Sequence, residues 1–71
     1  MEIMKFQGGL LRKAREARGM SMYRLAKETG VSASVLRLYE LDKSVPSINV
    51  AAQLSETLRC QVEDFLAPEV R

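Results

Sequence analysis

The chain has no histidine, no tryptophan and one cysteine, Cys60, among its 71 residues. A single thiol cannot close an internal disulfide. Without an imidazole beside it, it also cannot supply the ligands of an ordinary zinc site. No metal and no other cofactor is implied, and an unpaired thiol fits a reducing cytoplasm. The same shortage removes the common catalytic sets. There is no histidine base and no credible nucleophile and base pair, so the chain does not read as an enzyme. No apolar run approaches the ~18 residues of a membrane span. The opening residues Met1-Glu2-Ile3-Met4-Lys5-Phe6 lack the basic region and long apolar stretch of a signal peptide. Neither a membrane role nor export is expected. Two prolines and four glycines are too few for a collagenous or low-complexity chain.

What is present describes a small folded protein. Hydrophobic residues make up 46% of the chain and charged residues 28%, which suits a globular domain. The length allows one core. The net charge of +2 conceals an asymmetry. Residues 1–43 hold nine Lys/Arg against five acids, net +4, whereas residues 44–71 hold two against four, net −2. One end is therefore suited to phosphate and the other to water or a partner.

Apolar residues recur with helical spacing along most of the chain. Leu10, Leu11, Ala14 and Ala17 form one stripe, and Gly19 ends it by accepting a left-handed backbone. Ser21 is placed as the N-cap of a second helix, with Met20 able to pack on Leu25 as a hydrophobic staple. This helix turns Met22, Leu25, Ala26 and Thr29 inward and stops at Gly30. The same grammar repeats with Val31 as staple, Ser32 as cap, and Leu36 and Tyr39 inward, giving a third helix from Ala33 to about Leu41. Only Gly30, Val31 and Ser32 separate the second and third helices, the length that joins two helices at a steep angle. After a loop from Asp42 to Pro46, Ser47 caps a fourth helix bearing Ile48, Ala51, Leu54, Ser55 and Leu58. A short fifth helix is expected from Val62 to Leu66, with Glu63 and Asp64 in its first turn and Pro68 beyond it. The expectation is an all-α, five-helix domain over residues 9–66, with an arm at 1–8 and a tail at 67–71. No strand pattern extends past the first six residues.

In this order and spacing, Leu10-Leu11-Arg12-Lys13-Ala14-Arg15, Leu25-Ala26, Gly30-Val31-Ser32, Glu40, Pro46, Leu58 and Phe65-Leu66 resemble the lambda-repressor-like, Cro/C1-type (XRE) helix-turn-helix domains. The resemblance covers Leu10 to Leu66. It implies a compact five-helix DNA-binding domain in which helices two and three form the helix-turn-helix and helix three lies in the major groove. It further implies a salt bridge between Arg15 and Glu40; spacing alone equally allows two solvated charges. Two positions depart from the family pattern. Met22 stands where a phosphate-contacting glutamine is frequent. Asp42 stands where a glycine usually follows the helix-three glutamate, and it adds a negative charge near the DNA side.

By the same resemblance the base-reading positions are Ala33, Ser34, Arg37 and Leu38. Arg37 alone among them can form the bidentate contact to guanine; Ser34 can donate or accept, and Ala33 and Leu38 can touch only a thymine methyl. Without the resemblance, Arg37 is an ordinary exposed helix residue. Leu38 and Leu41 either face DNA or are covered by the fourth helix or a partner. Phosphate contacts are assigned to the starts of helices two and three, at Ser21, Met22, Tyr23 and Ser32, and to Arg12, Lys27 and Lys43. Arg18 and Arg24 are further candidates, and Lys43, next to the reading helix, leads. Any of these cations is equally a solvated surface charge.

A single domain reading about four or five base pairs does not single out one genomic site. A homodimer on a palindromic operator with half-sites ~34 Å apart is therefore expected. Val62, Phe65 and Leu66, with the tail to Val70, form the candidate dimer interface, although Phe65 can instead close the core. The arm at Ile3, Met4 and Phe6 is a second candidate, or a loose terminus. Cys60 is either a packed thiol or a sensor. The reading is a repressor-like, cytoplasmic regulator whose partner is double-stranded DNA. The alternatives keep the fold with weak or no DNA binding: a protein-interaction module, or an antitoxin that also holds a toxin.

Overall fold

Ser21, Ser32 and Ser47 all sit in extended backbone just before a helix. Each hydroxyl accepts the amide three residues on, from Arg24 at 3.0 Å, Val35 at 3.2 Å and Val50 at 3.2 Å. Each thereby satisfies one donor that the helix leaves without an internal partner. The computed structural model, which describes residues 3–69, runs β1 (Met4–Phe6), α1 (Gly8–Ala17), α2 (Met22–Thr29), α3 (Ala33–Glu40), α4 (Ile48–Leu58), one 3₁₀ turn at Val62–Phe65, and β2 (Leu66–Pro68).

The helix ends divide into two kinds. Gly19 (φ 65°) and Gly30 (φ 76°) turn the chain in the left-handed region after α1 and α2, as their positions predict. After α3 and α4 the same region is occupied by Asp42 (φ 59°) and Arg59 (φ 54°), where a Cβ makes it costly. The Asp42 amide donates to the Tyr39 carbonyl at 3.1 Å and Lys43 to Leu38 at 2.9 Å. Arg59 donates to Glu56 at 3.2 Å and Cys60 to Ser55 at 2.9 Å. These are the paired bonds of a Schellman closure.

The core joins Phe6, Leu11, Leu25, Leu36, Tyr39, Leu54, Leu58 and Phe65, one or two residues from every element except β2, whose Leu66 packs against its edge. Met20, Met22, Ala26, Val31 and Val35 pack around it, so the staples before α2 and α3 do reach the interior. Among the described residues there are four α-helices rather than five. The segment expected as a fifth helix, Val62 to Leu66, makes only one 3₁₀ turn, held by Asp64 Oδ2 accepting the Gln61 amide at 2.9 Å. Leu66 then becomes extended because its backbone finds partners in the N-terminal arm. β1 and β2 pair antiparallel, Phe6 opposite Leu66, and the Gln7 amide donates to the Phe65 carbonyl at 2.9 Å. The arm is thus tied down at Phe6, which is buried. Val70, named as part of the candidate interface, lies outside the described residues.

α1 begins at Gly8, two residues before its apolar stripe, and it begins against α3. A Cβ on Gly8 would lie 2.2 Å from the Tyr39 carbonyl oxygen and 2.6 Å from that of Glu40. Backbone cannot yield as a flexible side chain does, so only glycine permits this approach. Gly9 meets nothing within 4 Å. Gly8→Ala is expected to lower stability by about 2 kcal/mol or more. Gly9→Ala is expected to be neutral or to stabilise by up to about 1 kcal/mol. Chemical denaturation of the two variants checks the contrast.

Candidate nucleic-acid interface

The turn between α2 and α3 is held from inside. Thr29, buried at the end of α2, donates its hydroxyl to the Leu25 carbonyl at 2.7 Å and accepts the Val31 amide at 3.3 Å. Gln53 of α4 donates its side-chain amide to the Thr29 carbonyl at 2.5 Å. The three-residue connection is therefore fixed to two helices, and the angle between α2 and α3 follows from it.

α3 turns Leu36 and Tyr39 into the core, which leaves the opposite face to solvent. Ala33, Ser34, Arg37 and Leu38 line one shallow open depression on that face, so the four base-reading candidates do share a surface. Leu38 is 40% exposed and Leu41 57%; neither is covered by α4. A second depression is lined by Tyr23, Ala26, Lys27, Gly30, Val31, Ser32 and Ala33. It brings together three of the phosphate candidates, Tyr23, Lys27 and Ser32, beside the start of α3. Tyr23 stands 75% exposed, unusual for an aromatic that has no surface to meet. The first amides of α2 (Met22, Tyr23) and α3 (Ala33, Ser34) have no acceptor within their helices. They suit an anion there.

One ion pair sets where α3 stands. Arg15 Nε donates to Glu40 Oε2 at 2.7 Å and Arg15 Nη2 to Oε1 at 3.1 Å, while Nη1 donates to the Met20 carbonyl at 2.9 Å. The side chains are only 13% and 7% exposed. The bidentate bond to Glu40 holds the guanidinium proton more firmly and raises the Arg15 pKa, against an opposing effect of burial. The two solvated charges that spacing also allowed are not found.

The remaining candidates are scattered. Met22 packs its side chain against the core, so only its amide is available to a phosphate. Arg12 is paired with Glu16 at 3.3 Å and Arg24 with Glu28 at 2.7 Å, both in exposed i, i+4 bridges; Arg12 lines neither depression. Arg18 lies near enough to Cys60 to act on its thiol. Lys43 is exposed in the turn after α3. Phe65 is wholly buried within its own chain, because the 3₁₀ turn points it inward. Val62 and Leu66 are half-buried and line an apolar cleft of about 250 Å³ with Val45 and Ile48.

Two residues with structural roles at this surface escape the sequence pattern. Gln53 lies on the polar side of the α4 period, and Asp42 reads as a simple turn residue. Yet Asp42 Oδ1 accepts the Gly8 amide at 2.7 Å, a bond between residues 34 positions apart. Cys60 is partly buried, and burial first, then Asp64, raises its pKa, with Arg18 opposing. Among the described residues no group of three potential metal ligands forms, and no helix is long and apolar enough to cross a membrane.

The chain matches the family model described as helix-turn-helix over residues 11–65. It is 38% identical over 55 residues to an HTH-type transcriptional regulatory protein of Methanocaldococcus jannaschii, a match that covers 78% of this chain. The chain spans 17% of the length of that curated relative. Its fold superposes on that of SinR, the master regulator for biofilm formation, solved in complex with DNA, with a TM-score of 0.76 and 29% identity, covering 80% of this chain and 95% of that one. It likewise resembles the restriction-modification controller protein C.AhdI from Aeromonas hydrophila, with a TM-score of 0.77 and 26% identity, covering 82% and 88% of the two chains.

Glu40→Ala is expected to cost about 3 kcal/mol, since it strands the Arg15 charge in a nearly buried place, whereas Arg12→Ala is expected to change stability immeasurably because its bridge is solvated. Thermal unfolding distinguishes them. The Cys60 thiol, whose pKa is raised by burial, is expected to alkylate more slowly than a peptide cysteine at pH 7.5 and to gain rate as pH rises. Equal rates would show that the thiol is not shielded.

Proposed function

Because this chain belongs to the Cro/C1-type helix-turn-helix family, we propose that it is a DNA-binding transcriptional regulator, and not an enzyme, that reads the major groove of double-stranded DNA with α3. The observation that carries the reading is the shared depression of Ala33, Ser34, Arg37 and Leu38 on the solvent face of α3. It is flanked on one side by Tyr23, Lys27 and Ser32 and at the helix end by Lys43. Arg37 is exposed and has the geometry for guanine O6 and N7, whereas the neighbouring side chains offer one hydroxyl and two apolar contacts. Specificity per half-site is therefore modest. Several cations of the basic half are engaged by acids, which leaves affinity resting on few phosphate contacts.

Modest specificity argues for two copies on one operator, and we place the dimer contact at the cleft formed by Val62, Leu66, Val45 and Ile48. Ile48 is 76% exposed and Val45 67%, a concentration of apolar surface that a monomer has no use for. The same cleft supports a second reading, a module that holds another protein there, as an antitoxin does.

Selection from randomised duplex DNA at two salt concentrations tests the proposal. An enriched palindrome is expected, and no retention even at low salt would leave the interaction-module reading. On the enriched site, Arg37→Ala is expected to remove about 1–3 kcal/mol of discrimination while sparing non-specific binding. Lys43→Ala is expected to weaken binding to all sequences and to lower the salt slope by about one. Equal losses on every sequence for both variants would refute that division.

A further inference from the structure

Asp42 closes α3 with a left-handed backbone, φ 59°, in the place where glycine is favoured for want of a Cβ. It also puts a negative charge one residue from Lys43, where it opposes the approach of phosphate. Both features are unfavourable taken alone. The compensation lies in its carboxylate, whose Oδ1 accepts the Gly8 amide at 2.7 Å. Gly8 is the first residue of α1, and Gln7 before it provides no side-chain cap. Asp42 therefore satisfies a donor that α1 itself leaves open, at a helix end whose dipole favours an anion. What Ser21, Ser32 and Ser47 do for their own helices, Asp42 does for a helix far away in sequence.

The turn that follows is pinned on both sides. Asp42 and Lys43 donate their amides to Tyr39 and Leu38 of α3, and the Asp42 side chain binds α1. We propose that Asp42 is a positioning residue of the DNA-facing surface: by clamping the turn after α3 to the start of α1, it fixes where Lys43 leaves the reading helix. This rests on the DNA-binding reading above.

Asp42→Asn and Asp42→Gly test it as a pair. Each removes one negative charge and each tolerates the left-handed backbone, but only asparagine keeps an Oδ1 acceptor. Asp42→Asn is expected to bind the selected operator as tightly as the parent or more tightly. Asp42→Gly, checked to be folded by thermal unfolding, is expected to bind about fivefold more weakly than Asp42→Asn. Hydrogen exchange should show the Gly8 amide protected in the parent and in Asp42→Asn but exposed in Asp42→Gly, with the Lys43 amide gaining motion in nitrogen relaxation. Equal affinities of the two variants overturn the proposal, whatever the Gly8 amide does, because charge alone would then explain the position. A parent chain that retains no DNA at low salt overturns the underlying reading instead. The Gly8 and Lys43 amides then still decide whether Asp42 fixes the turn.

Discussion

The contact between the start of α1 and the end of α3 governs how this protein presents its surface. Three contacts of different kinds converge there. The Gly8 backbone approaches the Tyr39 and Glu40 carbonyls more closely than any side chain allows. The Asp42 carboxylate takes the Gly8 amide, and further along α1 the Arg15 guanidinium grips Glu40 with two hydrogen bonds. All three hold the C-terminal end of α3, at Tyr39, Glu40 and Asp42. Its N-terminal end is fixed separately, through Thr29 and Gln53. The exposed face of α3 is therefore presented by bonds that lie on its opposite side and at its ends.

This arrangement explains an unequal use of charge. Three of the nine basic residues in the first half are engaged by acids, Arg15 within the fold and Arg12 and Arg24 in solvated bridges, while Lys27 and Arg37 line the depressions of the α2–α3 surface and Lys43 lies exposed just after α3. The Arg15–Glu40 pair is nearly buried, and removing one partner would strand the other in a poor dielectric. Its weight is in orientation, since a fork of two hydrogen bonds restricts rotation as a single contact does not. The exposed bridges of Arg12 and Arg24 contribute little to stability.

A small domain has little core to spare, and this one recruits both ends of its chain to enlarge it. Phe6 precedes α1 and Phe65 follows α4, yet the two meet through the β1–β2 pairing and the Gln7 to Phe65 bond. A two-stranded ribbon is marginal by itself. Here its inner face is part of the core, so hydrophobic burial supports the pairing and the pairing positions the rings. Val45 and Ile48, which line the cleft beside Phe6 and Phe65, remain exposed.

Helices α1 to α4, their serine caps, the two glycine stops and the inward residues Leu11, Leu25, Leu36, Leu54 and Leu58 were all legible in the sequence, because each follows from interactions within four residues along one helix. The Arg15–Glu40 bridge was legible only through family resemblance, since spacing by itself left both charges free to be solvated. The fifth segment was misread as a helix because its four-residue signal is local, while the pairing that makes Leu66 extended comes from residues some sixty positions away. The ends of α3 near Leu41 and of α4 near Arg59 were legible too, but not that Asp42 and Arg59 there take a left-handed backbone; for Asp42 the compensation is a distant amide. Local periodicity determined which segments are helical and which side faces in. Only the tertiary structure decided that the last segment is extended and what holds the helices to one another, because the decisive partners are groups far apart in sequence that the fold brings close.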